Sequence, residues 1–220
     1  AKAPNDPNAQ GRKKHAGDAI FEDVNNDGQL DSKDMKFMGY IRPDKVGGIV
    51  NSFKYKGLTV RVVMDWAMGH VIDNGFKGQI MGSSRNNNNA IKDAMTNSWQ
   101  SANDGTKYPK YTVQSDYDYQ YRNHMSWDNQ IGSSESGSTN NSLYFSKGDY
   151  LAFREVSLSY MLPSTWVRKI RLSGVEVFAG AYNIGYIKKY DGMFPEIYTG
   201  VDYGVYPRPR QYNMGVKINF

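Results

Sequence analysis

The last fifteen residues, 206–220, read YPRPRQYNMGVKINF and decide the fold class. From residue 211 onward, polar and apolar side chains alternate along the chain. A period of two puts one set of side chains on each face of a β-strand. The apolar set is Tyr212, Met214, Val216, Ile218 and Phe220. A strand of ~9–11 residues with an apolar outer face and a polar inner face is the unit of a membrane β-barrel, although the last strand of a soluble β-sandwich shows the same alternation.

Two further strands with this pattern are predicted upstream. In residues 58–68, hydrophobic side chains alternate with Thr59, Arg61 and Asp65, and Val63 is the exception. Such a strand is typical of a barrel wall that faces lipid on one side and a water-filled lumen on the other. In residues 150–162, the apolar residues change parity near Arg154 and Glu155. This change predicts a β-bulge or a strand that emerges from the membrane.

The connections between strands also alternate, between short and long. We predict five crossing strands, which begin near Val46, Leu58, Tyr150, Val175 and Gln211. Short turns at 56–57 and 164–173 separate long loops at about 69–148 and 185–206. Outer-membrane barrels combine short periplasmic turns with long extracellular loops in this way. Five strands are too few to close such a barrel, since the smallest have ~8, so both edges are expected to pair with more polypeptide.

We therefore predict an all-β fold that forms the C-terminal strands of a large antiparallel transmembrane β-barrel. Its long loops would be extracellular, and its C-terminus periplasmic. Residues 1–16 are predicted to be an exposed connector and residues 17–220 the barrel region. The chain opens on a polar stretch that is typical of the interior of a loop, so we expect it to come from a longer polypeptide.

Composition excludes several other classes of protein. The mean hydropathy is -0.68 and no run of ~18 apolar residues exists, which excludes a membrane-spanning helix. The net charge of +5 comes from scattered basic residues, so no nucleic-acid partner is predicted. The absence of cysteine excludes a disulfide scaffold and a cysteine-ligated zinc site. His15, His70 and His124 lie in loop-like segments without a nucleophile motif beside them, so no enzymatic activity is predicted.

Residues 23–34, DVNNDGQLDSKD, match the spacing of a calcium-binding loop. Such a loop places oxygen ligands at positions 1, 3, 5, 7, 9 and 12 and a glycine, here Gly28, at position 6. The residues at the six ligand positions are Asp23, Asn25, Asp27, Gln29, Asp31 and Asp34. We predict a structural calcium ion, although position 12 usually carries glutamate and a short strand through Ile20 and Phe21, not a helix, leads in. The alternative is an Asx-rich turn that is held by side-chain-to-backbone hydrogen bonds.

The loop at about 69–148 is rich in asparagine, serine and aromatic residues. Loops longer than ~12–15 residues in ordered domains are usually functional. Aromatic rings between amides and carboxylates suit sugar rings or peptide backbones, so ligand contacts are predicted for Trp99, Tyr117, Tyr119 and Trp127. The alternative is a self-packed cap that does not contact ligand. A short helix is predicted near residues 90–99.

Several segments resemble those of one family, the SusC-like (RagA/SusC) TonB-dependent outer-membrane transporters. GDAIFEDVNNDGQLDSKD at 17–34 resembles their GD-I-Y-D-NGDG-ID-D segment, and residues 37–69 resemble the hairpin IG…P…G…YKGFDLS that follows it. GDYLAFREVSLSYMLP at 148–163 is similar to SYLRLKNVTLGYTLP, and AYNIGYIKKYDGMFPEI at 181–197 to GQNL…Y-G-DPE. The last fifteen residues match the YP-PR…GV-F end. Ala152 and Glu155 stand where the family usually has arginine and asparagine.

This resemblance implies the C-terminal portion of a barrel of roughly 22 strands with an N-terminal plug. The plug, and the segment that engages the energy-transducing protein TonB, would lie upstream of this chain. The resemblance also implies the bacterial outer membrane, contact with its lipid, and a SusD-like surface lipoprotein that lids the barrel. We therefore predict import of nutrient oligomers, with oligosaccharides favoured and peptides as the other class. A soluble, calcium-stabilised carbohydrate-binding β-sandwich, which would need a closed core, is the alternative.

Overall fold

The computed structural model describes residues 14–81, 92–102, 105–106, 108–111 and 142–220. The chain divides into two compact units. The loop unit comprises Ala1–Gly39, Ile72–Ser146 and Ile197–Gly204. The sheet unit comprises Tyr40–Val71, Lys147–Glu196 and Val205–Phe220. The predicted contact residues Tyr117, Tyr119 and Trp127 lie outside the described residues.

The described residues form seven strands, and five of these make one antiparallel sheet. The strands are β1 (Lys45–Tyr55), β2 (Leu58–Met68), β3 (Val71–Asp73), β4 (Phe145–Lys147), β5 (Tyr150–Met161), β6 (Gly174–Lys188) and β7 (Gln211–Asn219). The large sheet has the order β1-β2-β5-β6-β7, and β3 pairs with β4 in a separate two-stranded sheet. The five predicted strands are confirmed as β1, β2, β5, β6 and β7.

Helical structure is confined to short segments. The α-helices are α1 (Gly75–Met81), α2 (Lys92–Thr96) and α3 (Ser164–Val167), and 3-10 turns occupy Ser32–Asp34, Ser142–Tyr144 and Arg168–Ile170. The helix predicted near 90–99 is confirmed as α2. The strand predicted through Ile20 and Phe21 is wrong: these residues follow a turn that the backbone N–H of Asp18 closes on the His15 carbonyl, and they pair with neither sheet.

Among the described residues, no helix has both the length and the hydropathy that crossing a membrane requires.

The five-stranded sheet has one apolar face and one polar face. Strand register places Met214 opposite Ala179, Val216 opposite Val177, and Ile218 opposite Val175, so these side chains share a face. Other members of this apolar face are Ile49, Phe53, Val62, Val156 and Leu158. Met214, Val216 and Ile218 are 87%, 57% and 46% exposed. An apolar face this exposed is what a lipid-facing barrel wall presents, whereas the closed core of a soluble sandwich would bury it.

A β-bulge in β5 explains the change of parity near Arg154. The register with β2 shifts between Val63 and Met64, so that Arg154 is an extra residue between Phe153 and Glu155. An extra residue lets two neighbours on one strand point to the same side of the sheet. Arg154 and Glu155 therefore both lie on the polar face, where they contact Asp65 and Arg61 of β2. The predicted bulge is confirmed.

The short and the long connections leave the large sheet at opposite ends of its strands. β1 and β2 are joined at Lys56 and Gly57, whose positive φ values of 43° and 86° fit a tight hairpin turn. The β5–β6 connection is also short and contains α3. The pairing of the strands puts Met68, Tyr150 and Lys188 side by side at the other end of the sheet. The long connections 69–149 and 189–210 both leave the sheet from that end. The last residue of β7, Asn219, pairs with Gly174 at the end of the sheet where the short turns lie.

The loop unit is folded around the base of its long connection. The backbone N–H of Asp73 donates to the carbonyl of Gly200 at 2.9 Å, and that of Asp202 donates to the carbonyl of Asp73 at 2.8 Å. The N–H of Asn74 donates to the carbonyl of Tyr144 at 2.9 Å. Ile72 and Tyr144 are buried beside these bonds. These backbone hydrogen bonds hold the two ends of the long connection together.

Candidate functional site

The polar face of the sheet carries a network of charged groups centred on Arg154. The Arg154 guanidinium binds the Asp65 carboxylate through two nitrogens, with Nη2 2.7 Å from Oδ2. Its Nη1 contacts Oε1 of Glu196. Asp65 comes from β2 and Arg154 from the β5 bulge, whereas Glu196 comes from the β6–β7 connection. Two-point binding of carboxylate by a planar guanidinium fixes orientation as well as charge.

Glu196 is the buried centre of this network. Its side chain is 1% exposed, and two arginines and one tyrosine share its carboxylate. The Tyr186 hydroxyl donates to Oε1 at 2.6 Å, and Nη2 of Arg208 lies 3.1 Å from Oε2. A buried carboxylate is tolerated only when charges and hydrogen bonds compensate its lost hydration. The network therefore anchors the β6–β7 connection to the polar face of the sheet.

Aromatic rings extend the same contact. The rings of Tyr150 and Tyr186 meet edge to face with centroids 5.9 Å apart, and those of Tyr186 and Phe194 do the same at 5.9 Å. The guanidinium carbons of Arg154 and Arg208 lie 5.7 Å and 6.0 Å from the ring centroids of Tyr186 and Phe194. Edge-to-face and cation–π contacts each add to the stability of such a cluster. We call Asp65, Arg154, Tyr186, Phe194, Glu196 and Arg208 the wall cluster.

A second ion pair lies on the polar face, nearer the end of the sheet where the short turns lie. Nε of Arg61 is 3.4 Å from Oε2 of Glu155, and the Ser157 hydroxyl donates to Oε1 of Glu155 at 2.8 Å. Together with the wall cluster, this pair lines the face with paired charges and hydroxyls. A surface of this kind suits the water-filled interior of a barrel and polar ligands that pass along it.

Where the long connections leave the sheet, Asp149 ties three segments together. Its Oδ1 accepts from the backbone N–H of Gly69 at 2.8 Å, and its Oδ2 lies 2.9 Å from Nζ of Lys189. Burial alone would raise the pKa of Asp149, but the hydrogen bonds from Lys189 and Gly69 outweigh burial and lower it. Asp149 is therefore held as the charged carboxylate.

His70 lies at this same edge and is almost fully buried, with 4% exposure. Burial lowers the pKa of His70, and the nearby charge of Asp149 offsets only part of that shift. A side chain added at Gly148 would place its Cβ 2.3 Å from Nε2 of His70. A glycine at position 148 therefore leaves the space that the His70 imidazole occupies between the two ends of the long connection.

The loop at residues 23–34 turns at Gly28 and is held by hydrogen bonds from its own backbone N–H groups to its side chains, which is the pattern of the Asx-rich turn. The Asp23 carboxylate accepts from the backbone N–H of Asp27 at 3.2 Å and of Gly28 at 2.8 Å. Gly28 has a φ of 81°, a left-handed conformation that favours glycine. The Asp34 carboxylate closes the loop by accepting from the N–H of Val24 and of Asp31, both at 2.8 Å. These hydrogen bonds, first that of Asp31, lower the pKa of Asp34.

The side chains of this loop are turned toward backbone N–H groups. The Asn25 Oδ1 accepts from Asp27, the Asp27 Oδ1 from Gln29, and the Asp31 Oδ1 from Lys33. Among the described residues, no three acidic or histidine side chains converge as a metal-ion site. A carboxylate has about four lone-pair sites, so each of these groups keeps acceptor capacity after one or two such bonds.

Trp99 is the one predicted contact residue that the described part of the chain includes. Its ring packs against Gly17, where an added Cβ would lie 2.5 Å from Cε3 of the indole. Its backbone N–H donates to the carbonyl of Tyr108 at 3.0 Å. Gly17 has a φ of 90°, so glycine serves both the turn and the indole. Trp99 is half-buried and packs within the loop unit, and its contact with a ligand stays a prediction.

Sequence reasoning missed the wall cluster. Its members are up to 89 positions apart in directly bonded pairs, as for Asp65 and Arg154. A signal was present, because four of the six members lie in the segments that resemble the transporter family around FREV and YDGMFPE, and Arg208 lies in YPRPR. Strand parity also placed Asp65 on the polar face. The bulge at Arg154 and the return of Glu196 onto the sheet are tertiary features.

Comparison with known proteins gives one consistent result. No protein-family model matches the chain. TonB-dependent receptor P3 of Formosa agariphila is 25% identical over 216 residues, which cover 93% of this chain and 19% of the relative. TonB-dependent receptor P39 of the same organism is 24% identical over 213 residues, with the same coverage. The chain thus spans about a fifth of the length of these curated relatives.

Solved structures with the same fold belong to RagAB peptide transporters. One matches 88% of this chain and 20% of its own, with a TM-score of 0.61 and 20% sequence identity. Another, a RagAB peptide importer in its closed-closed state, matches 84% of this chain and 18% of its own, with a TM-score of 0.61 and 21% identity. At this identity the structures show a shared fold alone, over about a fifth of each matched chain.

The relatives are receptors and transporters, not enzymes, in agreement with the prediction that the chain has no catalytic role. TonB-dependent receptors are outer-membrane β-barrels, and the exposed apolar face of the sheet fits that setting. In sequence the chain is therefore similar to TonB-dependent receptors, and in fold it is similar to part of the RagAB structures.

Proposed function

We propose that this chain forms part of the wall of an outer-membrane transporter that imports nutrient oligomers with energy from TonB. The observation that carries the proposal is the two-sided sheet, with an exposed apolar face on one side and the wall cluster on the other. A sheet of this kind is stable when lipid covers its apolar face and water fills the space beside its polar face. Both edge strands, β1 and β7, would pair with further strands of the same polypeptide.

The proposed orientation follows from the two kinds of connection. The connections that begin at Gly69 and Lys189 are long, whereas those at Lys56 and Pro163 are short. Outer-membrane barrels keep their long loops outside the cell. We therefore place the long connections on the extracellular side and the C-terminus, Phe220, on the periplasmic side.

The proposed cargo is a short oligomer, captured beneath a SusD-like lipoprotein. Peptides are supported by the structural neighbours, which are named as peptide transporters. Oligosaccharides, which the family resemblance favoured, stay a prediction. The paired charges of the polar face suit either class, since both present hydrogen-bonding groups along their length.

The test is a growth and uptake experiment in the source bacterium. A strain that lacks the receptor gene is compared with one that carries the intact gene, with a mixed peptide digest or a glycan mixture as the only nutrient. We expect loss of growth on peptides without the receptor and rescue by the intact gene. Unchanged growth and uptake on both nutrients would contradict the proposed import.

We also propose that the loop at residues 23–34 binds one calcium ion that stabilises it. Support comes from the winding of the loop around Asp23, whose carboxylate accepts from the N–H groups of Asp27 and Gly28, and from closure by Asp34. The candidate ligands are those that the spacing names: Asp23, Asn25, Asp27, Gln29 through its carbonyl, Asp31 and Asp34. Hard oxygen donors from carboxylates, amide and carbonyl are the ligands that calcium prefers.

A further inference from the structure

The short connection between β5 and β6, residues 162–173, leaves two large apolar side chains exposed. Trp166 and Ile170 are 62% and 65% exposed. They are four positions apart in one continuous helical segment, so they lie on neighbouring parts of its surface. Val167 is buried, and α3 packs against β6. The connection therefore buries one side against the sheet and presents an apolar pair on the other.

The same connection carries three positive charges and no negative charge. The cations are Arg168, Lys169 and Arg171, all exposed, and no acidic residue occurs between Glu155 and Glu176. Among the described residues, no carboxylate forms an ion pair with any of these three cations. Unpaired cations beside exposed apolar side chains are typical of a segment that lies on an anionic membrane surface. We call residues 162–173 the basic turn.

Backbone hydrogen bonds fix the position of the third cation. The N–H of Leu172 donates to the carbonyl of Val167 at 3.3 Å, and that of Arg171 donates to the carbonyl of Arg168 at 3.1 Å. These two bonds end the helical segment as a Schellman motif, in which the residue with positive φ is usually glycine. Here that residue is Arg171, with a φ of 58°. An arginine at a position that favours glycine costs stability, so its charge is expected to have a role outside the fold.

An aromatic row on the apolar face of the sheet lies at the same end of the strands. Strand pairing puts Tyr55 beside Leu58 and Leu58 beside Tyr160, and the two tyrosines are 57% and 37% exposed. Tyrosine and tryptophan are enriched where the hydrocarbon core of a membrane meets its headgroups. The headgroup layer is ~5–8 Å thick, which a tilted strand crosses in about two to three residues. The basic turn follows Tyr160 directly and therefore lies at the level of the headgroups when lipid covers the apolar face.

We propose that the basic turn binds the phosphate headgroups of anionic phospholipids and anchors this end of the sheet in the membrane surface. The proposal rests on the proposed function, which places the sheet in a membrane, and deepens it by naming the lipid that the sheet selects. The planar guanidinium groups of Arg168 and Arg171 can each bind two phosphate oxygens, and the Lys169 ammonium adds a third charge. Trp166 and Ile170 would enter the boundary between headgroups and acyl chains.

The test measures binding of lipid to the detergent-solubilised receptor polypeptide that contains this chain. The probes are phosphatidylglycerol and phosphatidylcholine with the same fluorophore on one acyl chain, so that they differ in headgroup charge. Each basic residue near an anionic surface favours binding about fivefold. We expect the unaltered receptor to bind phosphatidylglycerol at least about tenfold more tightly than phosphatidylcholine at low salt, and high salt to reduce this preference.

The decisive variant removes the three cations of the basic turn together: Arg168→Gln, Lys169→Gln and Arg171→Gln. The matched control removes three exposed cations near the opposite end of the strands: Arg42→Gln, Lys45→Gln and Lys147→Gln. We expect the first variant to lose most of the preference for phosphatidylglycerol and the control to keep it. An equal loss in the control would overturn the basic turn as the site.

A single substitution, Arg171→Gly, separates the charge from the fold. Glycine adopts the φ of 58° more readily than arginine does, so this variant should melt at the same temperature as the unaltered receptor or at a higher one. We still expect its preference for phosphatidylglycerol to fall about two- to fivefold. A residue that served the fold alone would not lower the lipid preference while stability is kept. This variant also decides the matter should the triple variant fail to fold.

The outcomes separate this proposal from the proposed function. Equal binding of the two lipids by a receptor that still imports its cargo would overturn the anchor and leave import standing, as would a preference that survives in the triple variant and in Arg171→Gly. Displacement of the lipid by an equal concentration of glycerol phosphate, which has the charge but no acyl chains, would overturn a lipid as the ligand. A receptor that stays monomeric in buffer without detergent would overturn the membrane setting, and the anchor with it.

Discussion

The wall cluster and the calcium-like loop both gather carboxylates, but they are built over very different distances along the chain. In the loop, every bond spans between 2 and 10 positions. In the wall cluster, Arg154 bonds to groups 89 and 42 positions away. Local bonds need only a turn to form, whereas distant bonds need the whole sheet and its returning connection. The two regions therefore depend on different parts of the folding free energy.

The two regions also satisfy charge in different ways. The loop carboxylates accept from backbone N–H groups and keep lone pairs for a cation. The Glu196 carboxylate is buried and compensated by two guanidinium groups and a phenol. Loss of a charge should consequently cost little in the loop without its ion and much in the wall cluster.

The largest effect is expected when the buried centre of the wall cluster is removed. Glu196→Ala leaves Arg154 and Arg208 without their shared partner. We expect a loss of ~3 kcal/mol in the free energy of unfolding, at the low end for a broken buried pair because both arginines keep some contact with water. Urea unfolding of the receptor in detergent, followed by tryptophan fluorescence, measures this loss.

The matched control for Glu196→Ala is Glu176→Ala, since Glu176 is a half-buried glutamate on the polar face of β6. A change of less than ~0.5 kcal/mol is expected there. Equal losses in the two variants would show that the wall cluster is no more important than other charges of the face.

Calcium should stabilise the loop by an amount that depends on its concentration. At a hundredfold excess over the dissociation constant, one bound ion adds ~2.7 kcal/mol to the free energy of unfolding of the part that it holds. Melting curves with calcium and with a chelator measure this difference. We expect Asp23→Asn to abolish it and Asp18→Asn, which lies outside the ligand positions, to retain it; superimposed curves for the unaltered protein would refute the ion.

A smaller effect is expected from the turn that joins β1 and β2. Gly57 has a φ of 86°, and an added Cβ would lie 2.7 Å from the carbonyl oxygen of Met161. Gly57→Ala should lower the free energy of unfolding by ~1–2 kcal/mol, because both the backbone conformation and the contact are strained. Gly105→Ala is the control, since Gly105 has a φ of 64° but open space around it. Similar losses in both would mean that conformation alone, not the approach of β5, sets the cost.

The smallest effect concerns pH and His70. Its pKa is lowered in the folded chain, so the unfolded state binds the proton more readily. The contribution of His70 to the free energy of unfolding is therefore constant above its unfolded-state pKa of ~6.5. It falls as the pH drops from there toward the folded-state pKa, by at most ~1.4 kcal/mol per pH unit. Asp149, whose pKa is also lowered, contributes only at more acidic pH.

Urea titrations of the unaltered receptor and of His70→Gln between pH 7.5 and 5 measure this contribution. We expect the variant to lose the additional decline below pH ~6.5. Parallel declines in the two proteins would assign the pH dependence to other groups.

Sequence alone predicted the parts of the fold that depend on neighbouring residues. Alternation at Met214, Val216 and Ile218 predicted a two-faced strand, and the parity change at Arg154 predicted the bulge. The position of Gly28 in the loop at residues 23–34 predicted the sharp turn there, where its φ is 81°. Side-chain period and turn chemistry are local properties, so they are legible without knowing what packs against them.

Tertiary structure decided which distant residues meet. The return of the 189–196 segment onto the sheet brought Glu196 to Arg154, and the folding of the loop unit brought Trp99 against Gly17. It also left Ile20 outside any β-strand, because apolar side chains alone do not provide a neighbouring strand to pair with. The physical reason is that long-range pairing is fixed by burial and charge compensation summed over the whole chain, which no short window of sequence contains.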